Sequence, residues 1–564
     1  MPDAPKGCPR RSRRTMPPME THQPIAAPVA DEAIEPPRRS IVLAGLLGGS
    51  TALVTLLLGR YLTARPGFLE LVADGVSMFI PLQVFEAILG LLGPLAKGLL
   101  FAGVSAGVVL AGALAALGLG LRRDRRNPLL AALFVSFIVL AIAELVVLPI
   151  FGQGLLGGSG TADPVALHLP LVAAALLYGV VLVGLVREPL VTGGGALGGD
   201  ARPSQDPAHD QLLPRRSFLG RMLAAIGAGS LLASVLGVGV QVIDAATKRA
   251  PRQIRGSAPG GFGPTPAQTP VPEFYQVNKN LLPTAVQEAG WRLELDGLVD
   301  LPQAWLLDEL RAMPSVEGYR TLECISFDIL KGDDLIGNQS WRGVPLATLL
   351  DAAVPRPEAR WVLWEAEDGY TESLPLAVAR DPETWIAYEM GGAPLTQEHG
   401  FPARVLIAGR FGMKQPKWLR RIQLADHDED GYWEQRGWDR EAVVRTMSRI
   451  DEPRPGDSVP ASTPFAAYGI ANSGDRQIER VELSADGGTT WLEAELEDAS
   501  QAPLGPLTWV RWRVEVTAPA AGPLRLVARA TDGEGMLQEQ RETPPLPSGA
   551  TGWHAIRVVA VADT

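Results

Sequence analysis

The sequence predicts a multidomain chain with an all-α transmembrane N-terminal half, an α+β domain and a C-terminal all-β sandwich. Long apolar runs rich in Leu, Ala, Gly and Val fill the first half of the 564 residues. All 13 tryptophans lie in the second half, where segments with the two-residue period of strands alternate with short helical patterns. Near the C terminus, short strand patterns recur at regular spacing, which is typical of a sandwich.

The composition excludes several classes of protein. Hydrophobic residues make up 46% of the chain and the net charge is -11, with the acid mainly in the second half. This balance argues against a nucleic-acid partner. Two cysteines are too few for a disulfide scaffold or a four-thiolate zinc site. The sequence has no CxxCH motif for an attached haem.

Five apolar runs are long enough to span a bilayer. They cover 41–62, 95–121, 128–151, 164–186 and 218–243. The segment 66–94 is also apolar, but Glu70, Asp74, Pro81 and Glu86 interrupt it. We therefore predict that 66–94 forms an interfacial or re-entrant helix.

Arginines set the predicted orientation, because cytoplasmic segments carry an excess of Arg and Lys. The tail 1–40 and the cluster 122–126 both lie in the cytoplasm if 66–94 does not cross. Residues after about 245 then lie outside, on the periplasmic or extracytoplasmic side of the cytoplasmic membrane. A six-span alternative, in which 66–94 crosses, places 122–126 outside.

The motif PRRSFLG at 214–220 precedes the fifth run and resembles a twin-arginine export signal. That resemblance implies a cargo that crosses the membrane already folded. An ordinary positively charged flank is the alternative. We expect 215–245 to remain as a transmembrane anchor.

One carboxyl group falls inside the third apolar run. Glu144 is a candidate for proton or quinone chemistry, because ionisable groups in lipid are costly. A hydrogen bond between helices is the alternative. Haem b needs paired axial histidines. Because His168 is the only histidine in a predicted span, the sequence argues against a haem b site there.

The predicted boundaries follow these shifts in composition. They are a disordered tail at 1–40, a membrane domain of about four spans plus the interfacial or re-entrant helix at 41–190, a linker at 191–214, the anchor at 215–245, a linker at 246–270, the α+β domain at 271–445 and the sandwich at 446–564.

Alternating residues predict strands at 291–299, 360–366 and 403–408, with a short helix at 305–313. Cys324 lies in this α+β domain and has no second cysteine there. A lone thiol outside the cytoplasm is either a small buried core residue or a ligand.

Four parts of the α+β domain together resemble the sulfite oxidase family of molybdopterin enzymes. They cover 274–280, 321–346 with Cys324, 367–375, and the combination 387–390, 399–404 and 409–418. In that family the matching cysteine is the one protein ligand of molybdenum, which implies a molybdenum-molybdopterin cofactor and Cys324 as metal ligand. One soft sulfur donor suffices there, because the pterin supplies the others.

The resemblance also implies roles for eleven further residues. Arg404 and Lys417 match positions that hold the cofactor phosphate. The matches to pterin-contacting or neighbouring positions are Tyr275, Gln276, Asn278, Asp368, His399, Gln415 and Pro416. Tyr370 matches the tyrosine beside the metal, and Lys414 stands where sulfite oxidases have an arginine near the substrate anion. Lysine keeps that charge without the planar fork.

The sequence departs from the family directly after the cysteine. Sulfite oxidases continue with Ala-Gly-Asn-Arg, whereas this chain has Ile-Ser-Phe-Asp at 325–328 and Lys331 further on. The substrate class therefore stays open between sulfite and sulfoxides, the latter because features are shared with the branch that reduces methionine sulfoxide.

The C-terminal segment predicts an immunoglobulin-like sandwich, with strands at 478–484, 509–516 and 524–530. It resembles the dimerisation domain of sulfite oxidases, which implies a homodimer. The leading interpretation is a membrane-anchored molybdopterin oxidoreductase that transfers an oxygen atom to or from a small oxyanion or sulfoxide. Its electrons require a separate carrier or a quinone. A membrane protein that only binds the cofactor is the alternative.

Overall fold

The structure is a computed structural model. It describes residues 38–63, 65–80, 84, 88, 95–119, 127–151, 154–157, 164–187, 261–280, 284–331 and 334–562. The fifth apolar run, the twin-arginine-like motif, the arginine cluster at 122–126, and Cys8 lie outside these residues. The predictions for them remain predictions.

The N-terminal half is helical. Its helices are α1 Arg38–Thr63, α2 Phe68–Met78, α3 Leu95–Gly118, α4 Pro128–Ile142 and α5 Pro164–Arg187. Helix α4 continues through a π-helical segment, Ala143–Val147, into a last turn, Leu148–Ile150. Four helices are long and apolar enough to span a membrane, and they coincide with the first four predicted runs. Helix α2 is only 11 residues long, or about 16 Å.

Small residues let the apolar helices approach closely. Gly45 of α1 faces Gly112 and Ala113 of α3, where an added Cβ would lie 2.7 Å from backbone atoms. Tyr178 of α5 donates a hydrogen bond of 2.6 Å to the carbonyl of Gly112. Packing of this kind holds helices together where water provides no driving force.

The second half begins with a domain of mixed strands and short helices. Its strands are β1 Leu293–Gly297, β2 Gln303–Trp305, β3 Val316–Glu323, β4 Ile336–Pro345, β5 Trp361–Ala366, β6 Thr371–Pro375, β7 Trp385–Met390, β8 Ala393–Pro394, β9 Arg404–Leu406 and β10 Leu419–Ala425. Its helices are α6 Leu307–Ala312, α7 Leu346–Ala353 and α8 Leu376–Ala379. The predicted strands at 291–299, 360–366 and 403–408 contain β1, β5 and β9, and the predicted helix contains α6.

Two sheets form this domain. One has the strand order β2-β1-β10-β5-β6, with β1 and β10 parallel. The other has the order β3-β4-β7-β8, with β9 also paired to β7. A buried core that includes Trp291, Leu350, Trp364 and Ile422 joins the first sheet to α6 and α7. Strand β3 ends directly before Cys324, and β9 begins at Arg404.

The C-terminal domain is built of strands alone. They are β11 Met447–Glu452, β12 Ser458–Pro460, β13 Pro464–Asn472, β14 Ile478–Ser484, β15 Leu492–Glu493, β16 Glu495–Leu496, β17 Val510–Thr517, β18 Gly522–Asp532 and β19 His554–Val561. They form two sheets, ordered β11-β13-β17-β16 and β12-β19-β18-β14-β15. The fully buried Trp512 lies in the shared core. Residues of the predicted linker also pack here, since Thr265 donates a hydrogen bond to Asp451.

Candidate functional site

Cys324 lies where β3 ends, in a backbone position fixed by the strand. Its amide donates a hydrogen bond of 2.9 Å to the carbonyl of Leu335, which extends the antiparallel pairing of β3 with β4. The side chain is buried, with 9% of its surface exposed. Its Sγ lies 3.1 Å from Oγ of Ser326. The sulfur is therefore held close to a hydroxyl group in a protected place.

The aromatic segment at 274–275 lies beside the end of β3. The Tyr275 ring stacks on Phe274 with centroids 5.3 Å apart. Its Oη lies so near Gly412 that an added Cβ would be 2.8 Å away. Burial raises the pKa of Tyr275, and the nearby Cys324 raises it further while Arg404 opposes the shift. Tyr275 thus links the cysteine, the buried arginine and the loop at Gly412.

Arg404 is a buried cation with unused hydrogen-bonding capacity. Its two Nη atoms donate to the carbonyls of His399 and Gln415, at 3.3 and 3.4 Å. Its Nε is buried and has no partner among the residues that the structure describes. Burial lowers its pKa to about 10, so the guanidinium stays charged at neutral pH. Buried donors normally have partners, and an unpaired charged donor is suited to an anion.

Lys417 and His399 lie near Arg404, in the region around Gly400. Lys417 donates to Oδ1 of Asn278 and, at 3.0 Å, to the carbonyl of Glu398. The Nε2 of His399 lies 3.2 Å from the carbonyl of Val271. Burial and the charge of Arg404 lower the pKa of His399 to about 4. The imidazole is therefore neutral at physiological pH, and the cations here are Arg404 and Lys417.

Gln415 and Pro416 fix the loop that carries these groups. Gln415 donates to the carbonyl of Arg410 at 2.8 Å, and the carbonyl of Pro416 accepts from the amide of Val405 at 2.9 Å. The first bond closes the loop at 409–417 on itself, and the second attaches it to β9. Gln276 is exposed, and no hydrogen bond among the described residues joins its side chain to the other predicted residues.

Tyr370 stands at the start of β6 with its phenol already engaged. The amide of Tyr370 donates to Oδ1 of the buried Asp368 at 2.9 Å. Its Oη donates to the carbonyl of Met413 at 2.7 Å and lies 3.5 Å from Glu372. Burial raises the pKas of Tyr370 and Asp368. The phenol therefore keeps its proton and faces the loop that follows Gly412.

Lys414 is enclosed by acidic side chains, and only 2% of its side-chain surface is exposed. Its Nζ donates to Glu372 at 2.7 Å, to Glu434, and to the carbonyl of Ser373 at 3.2 Å. Burial raises the pKa of Glu372 to about 8, although Lys414 opposes the shift. The charge of Lys414 is thus compensated within the protein. In this structure the ammonium of Lys414 is therefore enclosed and does not lie open to an anion.

The two carboxyl groups are residues that the sequence reasoning missed. Tyr370 and Glu372 are two residues apart on an extended segment, so their side chains share a face. This alternation is the signal that points to Glu372. A buried lysine also needs a counter-charge, but the burial of Lys414 is seen only in the structure. No local pattern points to Glu434, which follows β10 in a 3₁₀ turn at Glu434–Arg436.

The short helix α2 lies against this domain through polar contacts, which sequence reasoning also missed. Asp74 accepts hydrogen bonds from Nζ of Lys279 at 3.1 Å and from Oη of Tyr432 at 2.9 Å. Arg436 donates to the carbonyl of Asp74 and to Ser77. The Tyr432 ring lies 5.9 Å from that of Tyr370. Helix α2 therefore contacts the site through one intervening side chain.

Comparison with protein families identifies both domains of the second half. Residues 280–433 match the oxidoreductase molybdopterin binding domain, and residues 441–560 match the Mo-co oxidoreductase dimerisation domain. The chain therefore contains a molybdopterin-binding oxidoreductase domain followed by a Mo-co oxidoreductase dimerisation domain. Cys324, Tyr370 and Arg404 lie within the matched molybdopterin domain, and Tyr275, Gln276 and Asn278 lie just before it.

Characterised relatives show the same similarity. The mitochondrial sulfite oxidase of Mus musculus is 30% identical over 339 residues, which covers 52% of this chain and 62% of that protein. The sulfite oxidase of Arabidopsis thaliana is 25% identical over 51% of this chain and 87% of that protein. The crystal structure of the sulfane dehydrogenase SoxCD from Paracoccus pantotrophus aligns over 53% of this chain with a TM-score of 0.44 and 23% identity. The chain spans 55% to 62% of the length of the Drosophila and rodent sulfite oxidases.

The donors at the site fit a molybdopterin. Cys324 offers one soft sulfur, the type of ligand that molybdenum on a pterin dithiolene requires. Arg404 and Lys417 offer two fixed cations for a phosphate. The buried Nε of Arg404 has no described hydrogen-bond partner. A bound phosphate would provide one.

Proposed function

We propose that this chain is a membrane-anchored, molybdopterin-dependent oxidoreductase that moves an oxygen atom to or from a small substrate of the sulfite or sulfoxide class. One observation carries the proposal. The Cys324 thiol is buried at the end of β3. Nearby, Tyr275 stacks on Phe274, and Phe274 contacts Trp341. Arg404, whose Nε has no described hydrogen-bond partner, lies with its Cζ 5.2 Å from the centroid of the Trp341 ring. That arrangement combines a metal ligand with an anion-binding cation in one protected place.

The residues around the site have separate roles in this proposal. Cys324 would bind the metal, and Arg404 with Lys417 would hold the cofactor phosphate. The other residues proposed to contact or surround the pterin are Tyr275, Gln276, Asn278, Asp368, His399, Gln415 and Pro416. When bound, the cofactor supplies two-electron oxygen-atom transfer. The neutral His399 contributes a hydrogen bond and no charge, because its pKa is lowered to about 4.

Tyr370 and Lys414 act on the substrate side. Tyr370 keeps its proton over the physiological range, because its pKa is raised. Its phenol can donate a hydrogen bond to a substrate oxygen when it exchanges its present bond to the Met413 carbonyl. Lys414 binds Glu372 at 2.7 Å and so fixes the side chain that lies 3.5 Å from the Tyr370 phenol. We therefore propose Tyr370 as a catalytic residue and Lys414 as its positioning residue.

The arginine contacts predict how tightly the cofactor is held. We expect Arg404→Lys to weaken retention of molybdopterin by about 10–100-fold, because a charged hydrogen bond contributes about 1.5–3 kcal/mol and lysine has no Nε donor. Molybdenum and pterin per polypeptide, measured after repeated desalting, report the change. Arg420→Lys is the matched control, because Arg420 is half-exposed and pairs with Glu365 at the surface. Equal retention in both variants would contradict the role of Arg404.

The membrane topology follows from charges at the helix ends. Arg38 and Arg39 begin α1, and Arg187 ends α5, at the ends away from α2. At the end near α2, Arg60 pairs with Glu70 and Arg65 with Glu367. The excess of arginine in the sequence at the far end thus supports a cytoplasmic location for that end. The catalytic domain would then lie at the outer face of the cytoplasmic membrane.

Contacts of α2 predict that the catalytic domain stays on the membrane domain without the covalent link. After cleavage at a protease site introduced at 250–258, we expect the two parts to remain together. Asp74→Ala removes the acceptor for Lys279 and Tyr432 and should weaken their association about 10–100-fold, measured by co-purification. Glu288→Ala, which removes an exposed partner of Arg311, should change nothing. Equal release from the two variants would exclude the docking role of Asp74.

The test of the function uses the full-length chain, purified from membranes of a host that makes molybdopterin. We expect about one molybdenum per polypeptide and turnover with one compound from a panel of sulfite, sulfoxides and nitrate, using a soluble electron carrier. Metal without turnover would favour the alternative, a membrane protein that only binds the cofactor. A chain free of metal and pterin would exclude both. Sedimentation of the same sample tests the proposed homodimer.

A further inference from the structure

The third membrane span carries a polar pair at an irregular point of the helix. Helix α4 changes to π-helical hydrogen bonding over Ala143–Val147, and Glu144 lies within this segment. One-turn π segments inside α-helices occur frequently at functional sites. Here the segment brings a carboxyl group to α5, where the Nδ1 of His168 lies 2.8 Å from Oε1 of Glu144.

Glu144 has more hydrogen-bonding capacity than its partner uses. The residue is buried, with 7% of its surface exposed. Its second oxygen, Oε2, is also buried and has no partner in the described part of the chain. His168 is more open, with 37% of its side chain exposed. The hydrogen bond to His168 satisfies Oε1 only. Because a buried polar atom without a partner is costly in a membrane, Oε2 needs a further explanation.

The pair lies at the end of the membrane domain that faces the catalytic domain. Glu144 is six residues before the helix end at Ile150, and His168 is four residues after the start of α5 at Pro164, so both are within about 10 Å of the helix ends. Leu148 and Leu167 pack on Leu71 of α2. Three residues further along α2, Asp74 contacts the catalytic domain.

We propose that Glu144 and His168 bind the head group of a lipid-soluble quinone. A quinone carbonyl accepts a hydrogen bond from an imidazole, and a hydroquinone hydroxyl donates one to a carboxylate, so the two side chains suit both redox states. The part-exposed His168 provides the contact with the ring. When a hydroquinone is oxidised, Oε2 of Glu144 accepts one of its two hydroxyl protons and the imidazole of His168 accepts the other. When a quinone is reduced, the two side chains supply these protons.

The redox balance rests on the proposed function. Oxidation of a substrate with the oxygen atom of water yields the oxidised substrate, two protons and two electrons. Reduction of a quinone to a hydroquinone consumes two protons and two electrons, which form its two O–H bonds. The site would therefore couple substrate oxidation to quinone reduction, or the reverse, with no other reductant or oxidant.

Quinone binding is measured on the full-length chain in lipid nanodiscs, by equilibrium dialysis with ubiquinone-1 and with menadione. We expect saturable binding of one of these probes, weakened at least tenfold in Glu144→Gln and in His168→Gln. Thr55→Val on α1 is the matched control, because the Thr55 hydroxyl bonds within its own helix, and it should bind as the wild type does. Thermal unfolding of each variant separates loss of the site from loss of the fold, and a variant that is unfolded is replaced by His168→Asn.

Two outcomes would overturn the proposal: no saturable binding to the wild type, or equal binding in the wild type and both variants. The second would leave only a hydrogen bond between helices. Metal content and turnover of the wild type with a soluble electron carrier are measured in parallel. Quinone binding without metal or turnover would refute the proposed function. Metal and turnover without quinone binding would refute only the quinone site.

Discussion

Replacing Cys324 with serine should abolish turnover and strip most of the molybdenum from the protein. An alcohol is a hard and weakly acidic donor, so it cannot replace a thiolate as a soft ligand. Mutation of groups that only orient metal ligands already lowers metal affinity or activity about 10–100-fold. Loss of the ligand itself should therefore lower them about 100-fold or more. The fold should survive, because serine nearly matches cysteine in size and the backbone bond to Leu335 is retained.

The measurement compares molybdenum per polypeptide, turnover and thermal unfolding in Cys324→Ser and in the wild type. Cys8→Ser is the matched control, since it makes the same chemical change at the other cysteine, in the N-terminal tail. We expect the control to be silent. Full activity in Cys324→Ser would contradict the assignment of the metal ligand. An unfolded variant would indicate that Cys324 is a structural core residue.

Replacing Lys414 with methionine should destabilise the molybdopterin domain by about 3–5 kcal/mol, because it leaves buried carboxylates without their cation. The side chains of Glu372 and Glu434 are 0% and 2% exposed, so water cannot replace the ammonium. Thermal unfolding of the domain checks the change. Arg356→Met is the matched control, because its pair with Asp300 is exposed and should contribute at most about 1 kcal/mol.

The loss of stability in Lys414→Met should depend on pH in a defined direction. The pKa of Glu372 is raised to about 8 in the fold, from its ordinary value of 4.5. Removing Lys414 removes a cause that lowers this pKa, so it rises further. A carboxyl group with a raised pKa destabilises the fold as pH increases above 4.5. The difference between Lys414→Met and the wild type should therefore be larger at pH 8 than at pH 6, and adding Glu372→Gln should reduce it. A difference independent of pH would contradict this explanation.

Much of the chain's architecture could be predicted from local patterns. The four apolar runs at 41–62, 95–121, 128–151 and 164–186 appear as long helices, because length and hydropathy are properties of the segment itself. Alternation located β1 and β5 for the same reason. The roles of Cys324, Arg404 and Tyr370 were predicted from the resemblance to a family, and they remain predictions. Nothing in the spacing of these residues by itself indicates a shared site.

The sequence by itself determined which segments are apolar, which alternate, and which carry a thiol, a phenol or a cation. Only the tertiary structure decided what those groups face. Lys414 is a charged residue in the sequence, but in the fold it lies between Glu372 and Glu434, which are 42 and 20 residues away. Asp74 belongs to the membrane half, yet it bonds Tyr432, 358 residues later. The physical reason is that burial and pairing depend on neighbours from distant parts of the chain, and a local pattern carries no information about them.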